Sequence, residues 1–151
     1  MIPYFLIFSY LAFQSLFRKG GWLHQNTIPL IIFFTLLIGL RHEVGGDWVS
    51  YIINLRLAEG VDFPSVIDLL NKDELGYYIF EWISANLFGG IYLVNTLCAF
   101  IFSVGLILFC KNQPRPWLAL LIAFPYLVIT VAMGYTRQGV SIGLEMLALL
   151  A

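Results

Sequence analysis

The sequence predicts an all-α fold: a polytopic bundle of transmembrane helices with an external loop that carries short interfacial helices. Three observations predict it. The chain of 151 residues is 60% hydrophobic and only 11% charged, against roughly 25% charged in soluble domains. Its mean hydropathy is +0.87. Its apolar residues fall into long runs separated by short polar turns, the pattern of successive membrane spans. The net charge is -1, so no basic patch points to a nucleic-acid partner. Contact with the lipid bilayer follows from apolarity alone.

Ile2–Phe17 is the first predicted span. It is short against the roughly 20 residues a span needs, and tilt or local thinning absorbs the difference. Residues 1–17 lack both the basic start and the small-residue cleavage site of a signal peptide, so they read as a retained membrane segment. Arg18 and Lys19 follow at once, and basic residues at span ends favour the cytoplasmic side. That rule sets the N-terminus outside and the Arg18–His24 turn inside. The second span, about 22–40, runs outward, with Pro29 near its start where a missing N–H does least harm. Arg41 then emerges on the external face.

Residues 41–75 are the one long polar-rich stretch and form the predicted external loop. Asp47 is placed to cap a short helix, and Gly45 and Gly46 allow the turn before it. Trp48, Tyr51, Ile52 and Leu55 share one face of that helix, which predicts interfacial packing. Asp62 and Pro64 open a second short helix through Leu70. Residues 76–88 would cover only about 20 Å as a helix, and Gly89–Gly90 breaks the run. If this segment crossed, Lys111 and Arg115 would fall outside. The charge rule therefore predicts a re-entrant or interfacial helix here.

Ile91–Phe109 is about 28 Å of helix and a full span. Residues 117–133 form the next, with Pro125 tolerated where neighbours satisfy the freed carbonyl. This span returns Tyr135–Gly139 to the outer face. A last segment, 140–151, turns inward, with Glu145 part-way along it. Its apolar run continues to Ala151, which predicts a truncated helix and the N-terminal portion of a longer protein. Cys98 and Cys110 sit roughly 18 Å apart along one helix. A disulfide needs Cα atoms within about 7 Å, so both read as packing thiols.

The chemistry concentrates in Gly39–Tyr51, GLRHEVGGDWVSY, where Arg41, His42, Glu43 and Asp47 stand beside an apolar run. Arg41 and Arg137 both fall at outer helix ends, against the positive-inside tendency. A guanidinium is always charged and forks onto phosphate with two hydrogen bonds, so a lipid phosphate or pyrophosphate is the natural ligand. Pairing of Arg41 with Glu43 or Asp47, and of Arg137 with a remote carboxylate, are the competing readings. Glu43 and Asp47 are candidate general bases for a sugar hydroxyl, and Asp47 is equally a helix cap. His42 reads as a substrate contact or as a plain surface histidine. Glu74 and Glu81 are weaker carboxylate candidates. Trp48, Tyr51, Tyr77 and Tyr78 suit stacking on sugar rings, and equally an interfacial aromatic belt. Glu145, a carboxylate inside a span, is a functional candidate by position. No Cys/His metal spacing, dinucleotide fingerprint, phosphate loop or nucleophile elbow occurs, so neither metal nor cofactor is expected.

Three landmarks in order resemble the EpsG family of bacterial exopolysaccharide polymerases. Gly39-Leu40-Arg41, with Gly45-Gly46-Asp47-Trp48 and Tyr51, is similar to that family's G-x-R…G-x-D-aromatic…Y signature. Asp73-Glu74-Leu75-Gly76-Tyr77-Tyr78 is similar to its E-P-G-aromatic-aromatic helix opening, with Leu75 in place of the proline. Arg137-Gln138-Gly139 resembles its R-Q motif at the head of an apolar helix. The resemblance implies a Wzy-like membrane polymerase, a glycosyltransferase in bacterial exopolysaccharide biosynthesis. It would join oligosaccharide repeats carried on undecaprenyl pyrophosphate, at the outer face of the cytoplasmic membrane. Other polysaccharide-assembly proteins are candidate partners. Carried over, Arg41 and Arg137 would grip the pyrophosphate, and Asp47 would orient Arg41 or meet the acceptor. Two other classes stay open on the residues alone: a transporter or flippase of lipid-linked sugars, and a non-catalytic membrane fragment.

Overall fold

A computed structural model describes residues 2–17, 25–46, 48–60, 75–86 and 90–151. Every regular element among them is helical. In chain order these are α1 (Ile2–Phe17), α2 (Thr27–Gly39), α3 (Trp48–Ala58), α4 (Leu75–Asn86), α5 (Gly90–Lys111) and α6 (Pro116–Ala123). A π-helical segment (Phe124–Ala132) and α7 (Thr136–Ala148) complete the fold. The expected Arg18–His24 turn, the Asp47 cap, Glu74 and the short helix from Asp62 to Leu70 lie outside the described residues.

α5 is the axis of the molecule. It has 22 residues and is the one helix among those described that is long and apolar enough to cross a membrane. α1, α2 and the joined Pro116–Ala132 rod are apolar but shorter. α2 and α7 pack most extensively on α5, from different sides. Both approaches depend on missing side chains. A Cβ at Gly39 of α2 would stand 2.7 Å from the Thr96 Cα, and one at Gly143 of α7 would stand 2.6 Å from the Phe102 Cα. Gly105 meets Gly143 backbone to backbone at the α5–α7 crossing. Small residues at a crossing let two backbones gain dispersion contact along their length, which is how helices associate without a hydrophobic drive.

Two apolar clusters flank this axis. The larger joins Leu11, Phe34, Phe102, Leu106, Leu120 and Phe124 from α1, α2, α5, α6 and the π segment. The smaller joins Tyr51, Leu55, Tyr77, Val94, Cys98 and Val140 from α3, α4, α5 and α7. The face expected of α3 forms: Trp48, Tyr51 and Leu55 are buried and Ile52 is half-buried. Cys98 and Cys110 are buried and free.

Residues 117–133, expected as one helix, divide into α6 and the π segment at Phe124–Ala132. Pro125 is the physical reason. It has no N–H for the carbonyl one turn back, and the ladder resumes in the wider register. The final helix begins at Thr136, ahead of the expected Val140, so the polar Thr136-Arg137-Gln138 run is its first turn and not a loop.

The outer surface is apolar. Leu16 is 79% exposed and Ile2 76%, while Gln14, Arg41, Glu81, Asn95, Ser103 and Thr136 are buried. α2 ends, α5 begins and α7 begins at one end of the bundle, because contacts among Arg41, Asn95 and Thr136 tie them together. The chain between α2 and α5 therefore leaves and returns at that end. α4, inside this excursion, has 12 residues.

Candidate functional site

Arg41 follows the last turn of α2, directly under the loop that starts with His42. It is 5% exposed. Its Nη1 donates to the Ala132 carbonyl at 2.9 Å and to the Ile38 carbonyl at 3.3 Å. Its Nη2 donates to Asn95 Oδ1 at 3.4 Å and to the Thr136 hydroxyl. The Thr136 hydroxyl donates in turn to Asn95 Oδ1 at 3.2 Å. All four terminal N–H bonds of the guanidinium thus go to protein acceptors, and every acceptor is neutral. Ala132 is available because it closes the π segment, where the last carbonyls lack ladder partners. Burial lowers the Arg41 pKa, with Tyr51, Tyr77 and Cys98 acting in the opposite direction. A guanidinium remains charged through such a change, so a cation is fixed under this end of the bundle.

Arg137 lies one residue beyond Thr136 in the first turn of α7. Its Cζ stands 5.4 Å from the Tyr51 ring centroid and 5.6 Å from that of Tyr77, within cation–π range of both. The two rings are themselves 5.6 Å apart at 47°. Tyr51 comes from α3 and Tyr77 from α4, so the cation gathers three elements. Burial, and next the nearby Glu81 carboxylate, raise the Tyr77 phenol, so it stays protonated. Glu81, one turn further along α4, is 1% exposed.

Arg137 also heads a groove of about 780 Å³ between α4, α5 and α7. Tyr77, Phe80, Ile101, Val140 and Leu144 supply its largely apolar wall, and Ser141 and Glu145 follow Arg137 down the α7 face. α7 starts with no side-chain cap at Tyr135, so its first-turn N–H groups add positive potential at the same mouth.

A second cluster stands beside the first, on the surface. His42 Nδ1 is 2.6 Å from the Tyr92 hydroxyl, and the two rings stack at 6.2 Å and 19°. Trp48 meets His42 edge-on at 5.8 Å and Tyr92 at 6.4 Å. Glu43 Oε1 lies 3.8 Å from His42 Nε2. Glu43 has φ 50°, the left-handed region, which non-glycine residues enter uncommonly. Gly45, at φ 105°, seats the same loop on the Gly134 carbonyl, where any Cβ would overlap it.

The structure brings Arg41, Arg137, Tyr51 and Tyr77 into one assembly and His42, Glu43 and Trp48 into its neighbour. Tyr78 is buried on α4, while Gln138 is exposed beside Arg137. Asp47 and Glu74 lie outside the described residues. Sequence reasoning did not single out Asn95, Thr136 or Tyr92. Asn95 had a signal, a lone amide within an apolar run, where polar groups face protein. Thr136 adjoins a motif already read as functional, and Tyr92 is one aromatic among many. Among the described residues no three His, Cys, Asp or Glu side chains are grouped to hold a metal ion.

A helical chain with buried polar residues, an apolar exterior and arginines gathered at one end belongs to a recognised class. The EpsG family profile matches residues 27–151, and the chain belongs to the EpsG family. No curated protein and no solved structure matches it.

Proposed function

We propose that this protein is a Wzy-like polymerase that joins undecaprenyl-pyrophosphate-linked oligosaccharide repeats into exopolysaccharide at the outer face of the cytoplasmic membrane. In this reading α1, α2, α5, the α6–π rod and α7 cross the bilayer. α3 and α4 lie at the outer surface, and the arginine end faces outward. Membership of the EpsG family supports it, as does the apolar exterior.

The observation that carries the reading is Arg137 at the head of an apolar groove. A lipid pyrophosphate has the complementary form, an anion joined to a hydrocarbon chain. In the transfer, an acceptor hydroxyl oxygen bonds to the anomeric carbon of the donor repeat. The bond from that carbon to the pyrophosphate oxygen breaks, the lipid pyrophosphate leaves, and the hydroxyl proton passes to a base or to water. Arg137 and the first turn of α7 stabilise the departing negative charge. Arg41, with its fork fully engaged in the protein, positions Thr136 and so the start of α7.

The test is polymer length in cells whose only copy of the complete gene carries Arg137→Lys, which keeps the charge and loses the fork. Short polymer, with single repeats accumulating on the outer face, is expected. Full-length polymer would sink the assignment of Arg137, and repeats trapped on the inner face would mark a flippase.

A further inference from the structure

We propose that Tyr92, His42 and Trp48, with the Glu43 carboxylate, form a saccharide subsite next to the arginine site. This rests on the polymerase reading for the class of ligand, and the residues follow from exposure and geometry.

A sugar ring offers an apolar C–H face and a rim of hydroxyls. It is held by an accessible aromatic plane with hydrogen-bonding groups at the edge. The aromatic residues that the sequence offers for stacking do not qualify: Tyr51, Tyr77 and Tyr78 are 1%, 5% and 6% exposed. Tyr92 is 40% exposed. Its ring and the imidazole of His42 lie nearly parallel, 19° apart, and the hydroxyl contact to Nδ1 locks them together. Trp48, 8% exposed, backs both rings edge-on and fixes their orientation. His42 and Glu43 side chains are 67% and 73% exposed, which leaves imidazole and carboxylate edges open to hydroxyl groups.

Two features set this cluster apart from an ordinary surface contact. Glu43 is held in a sparsely populated backbone conformation, a strain that concentrates at ligand sites. The cluster is also built in phase with the arginine site. Consecutive residues His42 and Arg41 meet Tyr92 and Asn95, one turn apart on α5. Likewise Trp48 serves the surface cluster while Tyr51, one turn on along α3, faces Arg137. An acceptor sugar on Tyr92 and a donor pyrophosphate at Arg137 would thus share one rigid frame.

The experiment uses the complete protein in lipid nanodiscs. The probe is the cell's own oligosaccharide repeat, freed of lipid and pyrophosphate by mild acid. Its binding is followed by calorimetry, and inorganic pyrophosphate is titrated separately into the same samples. Wild type is expected to bind both. Tyr92→Ala is expected to weaken saccharide binding about tenfold, the scale of one lost stacked ring, and to retain pyrophosphate binding. Tyr92→Phe, which keeps the ring and loses the His42 contact, is expected to weaken it about threefold. It decides the matter if Tyr92→Ala melts early. Unchanged saccharide binding in the folded variant, no binding by wild type, or joint loss of both ligands in Tyr92→Phe would each overturn the subsite. None of these results depends on polymer length in Arg137→Lys, so the two readings fail separately.

Discussion

The Arg41 guanidinium donates to the hydroxyl of Thr136, the residue immediately before Arg137. Two arginines far apart in sequence are therefore linked through one threonine. Their roles differ: the first is enclosed and holds backbone in place, while the second meets two aromatic rings at the mouth of a groove.

Arg41→Lys should cost about 2–4 kcal/mol of stability. An ammonium cannot reproduce a planar fork, and at least two buried acceptors would be left without a donor. Denaturant unfolding in mixed micelles measures this. Thr136→Val should cost about 1–2 kcal/mol, and the double variant should cost less than the sum by at least about 0.5 kcal/mol. Strict additivity would mean that the two side chains do not act as a unit.

Arg137 variants should separate stability from activity. Arg137→Gln removes a cation lying over two rings, worth about 1–2 kcal/mol of stability, so it should melt above Arg41→Lys. Its pyrophosphate affinity should nevertheless fall at least about tenfold, the loss of a charge-assisted contact. Equal melting losses with unchanged anion affinity would return Arg137 to a purely structural role.

The α5–α7 crossing should tolerate no added methyl group. Gly105→Ala drives a Cβ into the Gly143 backbone and should destabilise by about 1–3 kcal/mol. Gly46→Ala, where a Cβ meets nothing within 4 Å, should stay within about 0.5 kcal/mol of wild type. Thermal melts of the pair give the comparison directly.

Sidedness follows from the shared end of α2, α5 and α7. A cysteine replacing Ser50 should react with an impermeant thiol reagent added outside intact cells, and one replacing Asn112 should not. The native Cys98 and Cys110 are each 2% exposed and should stay silent. Outside labelling at residue 112 would invert the proposed orientation of the arginine end.

Much of this architecture was legible in the sequence because long apolar runs leave little choice but helix. α5 differs from its expected span by a residue or two at each end, and the arginines were marked by their position against the charge rule. The sequence did not reveal what Arg41 grips. That depends on the register of three helices, which brings Asn95, Ala132 and Thr136 to one point. The start of α7 was missed because Thr136-Arg137-Gln138 is polar enough to read as a turn. In the fold, Thr136 is satisfied by Arg41 and Asn95, and Arg137 by aromatic faces, so the helix can begin there. Local polarity marks a loop only when water is the partner.

The π-helical segment acts as a phase setter. Successive residues of an α-helix are about 100° apart, and the wider winding of Phe124–Ala132 holds extra residues within the same rise. Deleting one of them would let the rod revert to α geometry and swing everything after it, Ala132 through Arg137, around the axis by about that angle. The carbonyl and hydroxyl that meet Arg41 would then point elsewhere, with every side chain of the arginine site still present. A single-residue deletion far from any charge is therefore the smallest change that would dismantle the site while leaving its chemistry intact.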